Sequence, residues 1–177
     1  QQTGLGLADF LMGRIGRLVA AKAISLGMRV VYTDPKKASD VPYPYYASAD
    51  EMLPHADIVS LHASLPVGSP AILNAARIAK MKNGSYVINT ARGFLIDEAA
   101  LVSALKSGHL AGAALDVYSA EPYAGSLTKL DNVLLTPHIG ASTMEGQVRI
   151  GEDLISQLKQ KLNAQVCFML DLKAIRT

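Results

Sequence analysis

The strongest constraint on the fold is an alternation. Short apolar and β-branched runs recur along the chain, separated by helical patterns. "MRVVYTD" (Met28 to Asp34), "DIVSLH" (Asp57 to His62), "SYVINT" (Ser85 to Thr90), "AGAALDV" (Ala111 to Val117) and "NVLLTPH" (Asn132 to His138) each read as a strand. Near-continuous apolar strands suit a sheet covered on both faces, and strand–helix alternation builds parallel sheets. Ile15, Leu18, Val19 and Leu26 fall on one helical stripe, with Gly27 as its stop. Asp97 is placed to cap "EAALVSALKSG". Ser142 and Glu145 have capping-box spacing at the head of a long helix, striped by Ile150, Leu154, Ile155, Leu158 and Leu162. "DPKKASDVPYPYY" reads as loop, with a short edge strand near Tyr45 to Ala47.

A chain of 177 residues suggests one ordinary domain with a real core. Half the residues are hydrophobic and the formal charge is +2, from 17 basic and 15 acidic residues. That balance excludes a disordered chain, and without a Lys/Arg cluster no nucleic-acid partner is expected. The single cysteine, Cys167, cannot form an internal disulfide, which fits a reducing, cytoplasmic setting. No apolar run reaches the ~20 residues of a membrane span, so no membrane partner is expected.

"ADFLMGRIGR" (Ala8 to Arg17) closes the first strand and opens the first helix. Gly13 and Gly16 have the spacing of the second and third glycines of G-x-G-x-x-G. The second lets backbone approach a pyrophosphate, and the third lets helix and strand pack closely. Gly13, Arg14, Ile15 and Gly16 would present helix-terminal N–H groups to the phosphates. Asp34 lies about 20 residues further on, where an acid accepts hydrogen bonds from a ribose hydroxyl and disfavours a 2′-phosphate. NAD is therefore the expected cofactor, and the expected fold is a Rossmann-type α/β domain. Its sheet would be doubly wound and parallel, with helices on both faces and a long C-terminal helix. Two residues conflict with the pattern. Leu11 stands where the first glycine belongs, and Asp9 interrupts a buried strand, where a carboxyl needs a partner or a kink. The fold is expected to survive, with NAD binding weaker than the motif implies, or lost.

"INTARGFLIDEAAL" (Ile88 to Leu101), "LAGAALDVYSAEP" (Leu110 to Pro122) and "LTPHIGASTMEGQ" (Leu135 to Gln147) follow in order. Together they resemble the D-isomer-specific 2-hydroxyacid dehydrogenases, and "HIGAST" resembles the 3-phosphoglycerate dehydrogenase branch. The resemblance runs from about Gly4 to about Leu162. It implies catalytic roles for three residues. Arg92 would grip the carboxylate and carbonyl oxygen of a 2-oxo acid. His138 would carry the proton that accompanies hydride transfer. Glu121 would orient His138 and favour its charged form. Asp116 would meet the nicotinamide carboxamide, with Thr90, Ala91, His138 and Gly140 also around the cofactor. His62 sits in "HASLP" where the family has H-x-P-L-T, so Ser64 and Pro66 depart from the pattern near the cofactor. His55, His109, Lys36 and Lys37 read as solvated, and no metal site is expected.

The family's substrate domain is built from segments flanking the cofactor domain. Here residues 1–163 would form the NAD-binding domain, and residues 164–177 a tail toward an absent or truncated substrate domain. The expected partners are a small 2-hydroxy or 2-oxo acid and a second copy in a homodimer. The nearest enzymatic alternatives are glyoxylate/hydroxypyruvate reductase and D-lactate dehydrogenase. A non-enzymatic dinucleotide sensor, like the C-terminal-binding-protein corepressors, shares the fold and triad.

Overall fold

The computed structural model describes residues 4–161. They form two compact units, one ending at His138 and one beginning at Ile139. The first holds strands β1 (Gly6–Phe10), β2 (Arg29–Thr33), β3 (Tyr45–Tyr46), β4 (Ile58–Leu61), β5 (Ser85–Asn89), β6 (Leu110–Leu115) and β7 (Val133–Leu135). Its helices are α1 (Arg14–Ser25), α2 (Ala49–Met52), α3 (Ala75–Ile78) and α4 (Glu98–Lys106). The seven strands make one sheet in the order β3-β2-β1-β4-β5-β6-β7, and every pairing is parallel. The Rossmann-type expectation holds, including the edge strand at Tyr45.

The two faces follow from the period of two along β1. Leu7 packs with Ala20 and Ala23 of α1 and with Val30 and Tyr32 of β2. Ala8 and Phe10 point the other way, into a larger core with Met52, Leu53, Leu101 and Leu105. Helices therefore cover both faces. On the α1 side the cover thins toward β7, where Tyr86 and Leu134 are exposed.

Helix α1 buries a different stripe from the one its large residues suggest. Gly16, Ala20 and Ala23 face the sheet, while Ile15, Leu18 and Leu26 are 60%, 65% and 69% exposed. Close approach explains the reversal. A Cβ on Gly16 would lie 2.6 Å from the Leu11 carbonyl oxygen and 2.9 Å from Asp9 Oδ2. Only small side chains allow the helix to sit so near the strand.

Asp97 caps α4 as expected, accepting the Ala100 N–H at 3.1 Å. Helices α2 and α3 have four residues each, too few to show a 3.6-residue period, so the sequence pattern does not reveal them. In the second unit α5 spans Met144–Lys161. Its first turn is capped by Thr143, whose Oγ1 accepts the Gly146 N–H at 3.0 Å, one residue later than the Ser142 expected. Val148, Ile150, Leu154, Ile155 and Leu158 on α5 are exposed. Leu162, Cys167, the boundary at residue 163 and the 164–177 segment lie outside the described residues.

Candidate active site

Between β1 and β4 the sheet changes winding direction, and open α/β sheets bind ligands outside the carboxyl ends of strands at that point. The expected site residues of the first unit lie on loops at this edge, in two corners.

The first corner is the β1–α1 turn. Leu11 is held at φ 74, the left-handed region that glycine adopts freely. Its N–H donates to the Thr33 carbonyl at 3.0 Å. The Met12 N–H donates to Asp34 Oδ2 at 3.0 Å, and the Arg17 Nε–H donates to the Met12 carbonyl at 3.0 Å. Gly13 is the N-cap of α1, and neither a side-chain cap nor an acidic residue occupies the first turn. Gly13, Arg14 and Ile15 are exposed and Gly16 is buried. Uncapped N–H groups at a helix start suit an anion.

Asp34 stands at the end of β2, where its Oδ1 accepts the Lys36 N–H at 3.1 Å. Each oxygen of a carboxylate can accept more than one hydrogen bond, so Asp34 keeps capacity for a ribose hydroxyl. Lys36 and Lys37 are exposed, as expected. His62 follows β4 and is half-buried. Its Nε2 lies 2.9 Å from Ser60 Oγ, and burial holds the imidazole below its ordinary pKa. The uncapped turn, the closely packed Gly16 and the placement of Asp34 fit a dinucleotide.

Asp9 disagrees with that fit. It is fully buried, and neither carboxyl oxygen has a hydrogen-bond partner. Burial, and then the Asp34 carboxylate, push its pKa up to about 7. Neither of the remedies expected from sequence, a partner or a kink, is present: Asp9 stays in register opposite Tyr32 and Ser60.

The second corner lies beyond β5, β6 and β7. Thr90 and Arg92 are exposed, with half-buried Ala91 between them. Buried Asn89 shapes this turn, donating through Nδ2 to the Arg92 carbonyl at 2.9 Å and accepting the Ala91 N–H at 3.0 Å. Arg92 precedes a 3-10 turn at Gly93–Leu95. Gly93 packs directly on the Tyr118 and Ser119 backbone, where no side chain fits. That contact sets the arginine loop against the loop that carries Glu121.

Asp116 is buried at the end of β6 and accepts the Thr136 hydroxyl at 2.6 Å. The Tyr118 hydroxyl is shared between the Leu115 carbonyl at 3.0 Å and the Thr136 carbonyl at 2.8 Å. The Tyr118 N–H donates to Glu121 Oε1 at 3.2 Å. Glu121 Oε2 in turn lies 2.9 Å from His138 Nδ1. His138 has φ 56, and its own N–H donates to the Thr136 carbonyl at 3.0 Å. First His138 and then the Tyr118 N–H hold the Glu121 carboxyl below its usual range. With Nδ1 facing a carboxylate, Nε2 is the ring nitrogen left for proton exchange. A cavity of about 300 Å³ adjoins the pair, lined in part by Tyr118, Pro122, Tyr123 and Leu135.

The D-isomer specific 2-hydroxyacid dehydrogenase NAD-binding domain matches residues 10–140. The chain belongs to this family. A hydroxypyruvate reductase of Thermotoga maritima is 42% identical over 163 residues, covering 89% of this chain and 52% of that protein. A glyoxylate reductase of Thermofilum pendens is 41% identical, covering 85% and 48%. A D-3-phosphoglycerate dehydrogenase of Pongo abelii is 41% identical, covering 82% and 28%. The chain thus spans about half the length, or less, of these relatives. Among solved structures, a glyoxylate reductase from Paecilomyes thermophila superposes with TM-score 0.86 at 37% identity, covering 92% of this chain and 50% of that one. An NADPH-dependent glyoxylate/hydroxypyruvate reductase from Sinorhizobium meliloti, in complex with NADP and malonate, has TM-score 0.86 at 26% identity, covering 93% and 52%.

The family match begins at Phe10, just after Asp9. The fold brings Glu121 and His138 into contact and sets the Arg92 loop beside them. Gly140 falls in the second unit. Sequence reasoning missed Asn89, Gly93, Tyr118 and Thr136, which position the others. A polar residue ending an apolar strand directly before a functional turn is a signal that points to Asn89. His109 is not simply solvated, because its Nε2 lies 2.9 Å from the Ile78 carbonyl. His55 stacks on Tyr46. Among the described residues no His, Cys, Asp and Glu cluster is arranged to hold a metal, and no helix is long and apolar enough to cross a membrane.

Proposed function

We propose that this chain is the cofactor-binding and catalytic part of an NAD-dependent D-2-hydroxyacid dehydrogenase. The observation that carries this reading is the His138 Nδ1–Glu121 contact at 2.9 Å, on a loop beside the Arg92 turn. Bound nicotinamide supplies the hydride acceptor or donor at C4. Gly13 to Gly16 hold the pyrophosphate, Asp34 selects NAD through the ribose hydroxyl, and His62, Thr90, Ala91, Asp116 and Gly140 border the cofactor. Arg92 holds the carboxylate and C2 oxygen of the substrate. As a 2-hydroxy acid loses hydride from C2, His138 Nε2 takes the hydroxyl proton, and in the reverse direction it returns that proton to the carbonyl oxygen. Glu121 keeps the imidazole oriented through its contact with Nδ1.

The motif "HIGAST" favours a 3-phosphoglycerate-type substrate. The 42% and 41% identities to a hydroxypyruvate reductase and a glyoxylate reductase favour those smaller acids as a second reading. The proposal includes a cytoplasmic homodimer, supported by the exposed apolar residues of α5. It also takes residues 1–163 as the cofactor domain, with 164–177 leading toward the substrate domain.

NADH fluorescence titration tests the binding step. Turnover with phosphohydroxypyruvate, hydroxypyruvate and glyoxylate then ranks the substrates, and His138→Gln should remove nearly all of it. Unchanged turnover in that variant overturns the proton-carrier role. NADH binding without turnover on any of the three acids, in a protein that also carries the substrate domain, overturns the enzymatic reading. Light scattering decides the dimer.

A further inference from the structure

Asp9 is the one described residue whose buried side-chain oxygens are left without any hydrogen bond. It also lies directly beneath the start of α1. Its Oδ2 and Oδ1 are 2.9 and 3.1 Å from where a Cβ on Gly16 would stand. A carboxylate there opposes the charge preference of the site above it. A helix start attracts anions with roughly half a positive charge, and one buried negative charge more than cancels that. Attraction between unit charges a few ångströms apart is large away from bulk water, and so is repulsion.

The groups around Asp9 supply no compensating cation. On β2, Tyr32 turns its hydroxyl to the Ala38 backbone, and Asp34 adds a second negative charge. On β4, Ser60 Oγ is engaged with His62, whose imidazole burial holds below its ordinary pKa. On α1, Arg17 is committed to Asp40 at 2.7 Å and to the Met12 carbonyl. Arg14 points outward as an exposed residue of the first turn, and Lys22 lies in the last turn. Protonation is thus the route by which this carboxyl escapes a buried charge.

We propose that Asp9 gates the phosphate site: a dinucleotide pyrophosphate binds when the Asp9 carboxyl carries its proton and is expelled when it is ionised. This rests on reading the β1–α1 turn as the dinucleotide site. The desolvated position and the Asp34 neighbour place the switch near neutral pH, with Asp9 titrating at about 7. A pyrophosphate diester stays fully ionised around neutral pH, so the change is assigned to the protein.

The test is a pair of titrations, NADH by fluorescence and ADP-ribose by calorimetry, on wild type and Asp9→Asn from about pH 6 to about pH 8.5. ADP-ribose lacks the nicotinamide and so removes the His138 corner from the reading. Wild-type affinity for both probes should fall at least about tenfold across the range, while Asp9→Asn stays level. Asp9→Ala provides the same comparison if the asparagine variant does not fold. His62→Gln should keep the wild-type slope, and loss of the slope there moves the titration to His62 and overturns the gate. A level wild-type affinity, or a slope surviving in Asp9→Asn, also overturns it and leaves the dinucleotide reading standing. Binding by the variant alone at every pH shows a permanent block and overturns gating. Failure of all proteins to bind either probe at any pH overturns the dinucleotide reading, and the gate with it.

Discussion

The two corners of the sheet edge are built on opposite terms. Beyond β5, β6 and β7, the polar groups that shape the site pair with one another. Asn89 bridges its own turn, the Thr136 hydroxyl meets Asp116, Tyr118 ties two carbonyls, and Glu121 meets His138. At the β1–α1 turn, a leucine takes a glycine's backbone shape and a buried carboxyl has no partner. The ladder beneath the misfit corner is the regular one: β1 keeps its register with β2 and β4 through Asp9, whereas β5 and β6 shift register between Ser85 and Tyr86. A parallel sheet can absorb a misfit side chain so long as its backbone hydrogen bonds survive. Strain of that kind is tolerated by the fold.

The comparison breaks most decisively at Asp9. Its pKa is raised from 3.8 to about 7 in the folded chain, so folding takes up a proton between those values. Stability therefore falls as pH rises through that window, and the full penalty, about 4 kcal/mol at most, persists above it. Asp9→Val should raise stability by about 3 kcal/mol near pH 8, an advantage that fades toward about pH 4. Urea unfolding at several pH values measures it, and a pH-independent gain would remove the buried charge as its cause.

An effect of similar size should come from the satisfied corner. Gly93→Ala drives a methyl into the Tyr118 backbone and should cost about 3 kcal/mol with loss of Arg92 placement. A melting temperature equal to wild type would show that the loop contact is loose. Asn89→Ala leaves the Arg92 carbonyl and Ala91 N–H without their partner and should cost about 2 kcal/mol. Tyr118→Phe keeps the ring stacked on Tyr123 and removes only the shared hydroxyl bond, for about 1 kcal/mol. If Tyr118→Phe proves costlier than Asn89→Ala, the two strands depend on that hydroxyl more than on the turn beneath Arg92.

Most of the architecture was legible because the β-branched runs and their spacing report the sheet directly. The face of α1 was not. Large residues suggest a buried stripe, but close packing at Gly16 reserves that side for Ala20 and Ala23. The residues proposed as catalytic were legible only through motif resemblance, since nothing local to Arg92 or His138 sets them apart from surface residues. The groups that position them, such as Thr136 and Tyr118, act across strands far apart in sequence, and a linear pattern does not record such contacts. Asp9 was legible as a conflict, while its burial without a partner emerges only in the folded sheet.

One consequence concerns the last strand. β7 has three residues and sits at the edge of the sheet, yet His138 follows it within a few positions. Beyond its pairing with β6 and the packing of Val133 and Leu135 on the core, the strand's exit at Thr136 is held by two side chains, Tyr118 at the Thr136 carbonyl and Asp116 at the Thr136 hydroxyl. Edge strands of this size open locally at much lower free energy than a whole domain unfolds. Foldedness and the placement of His138 are therefore separable in this chain. On warming, amide exchange at Leu135 and Thr136 should quicken while β1 and β4 remain protected, so His138 would leave its station from an otherwise intact sheet.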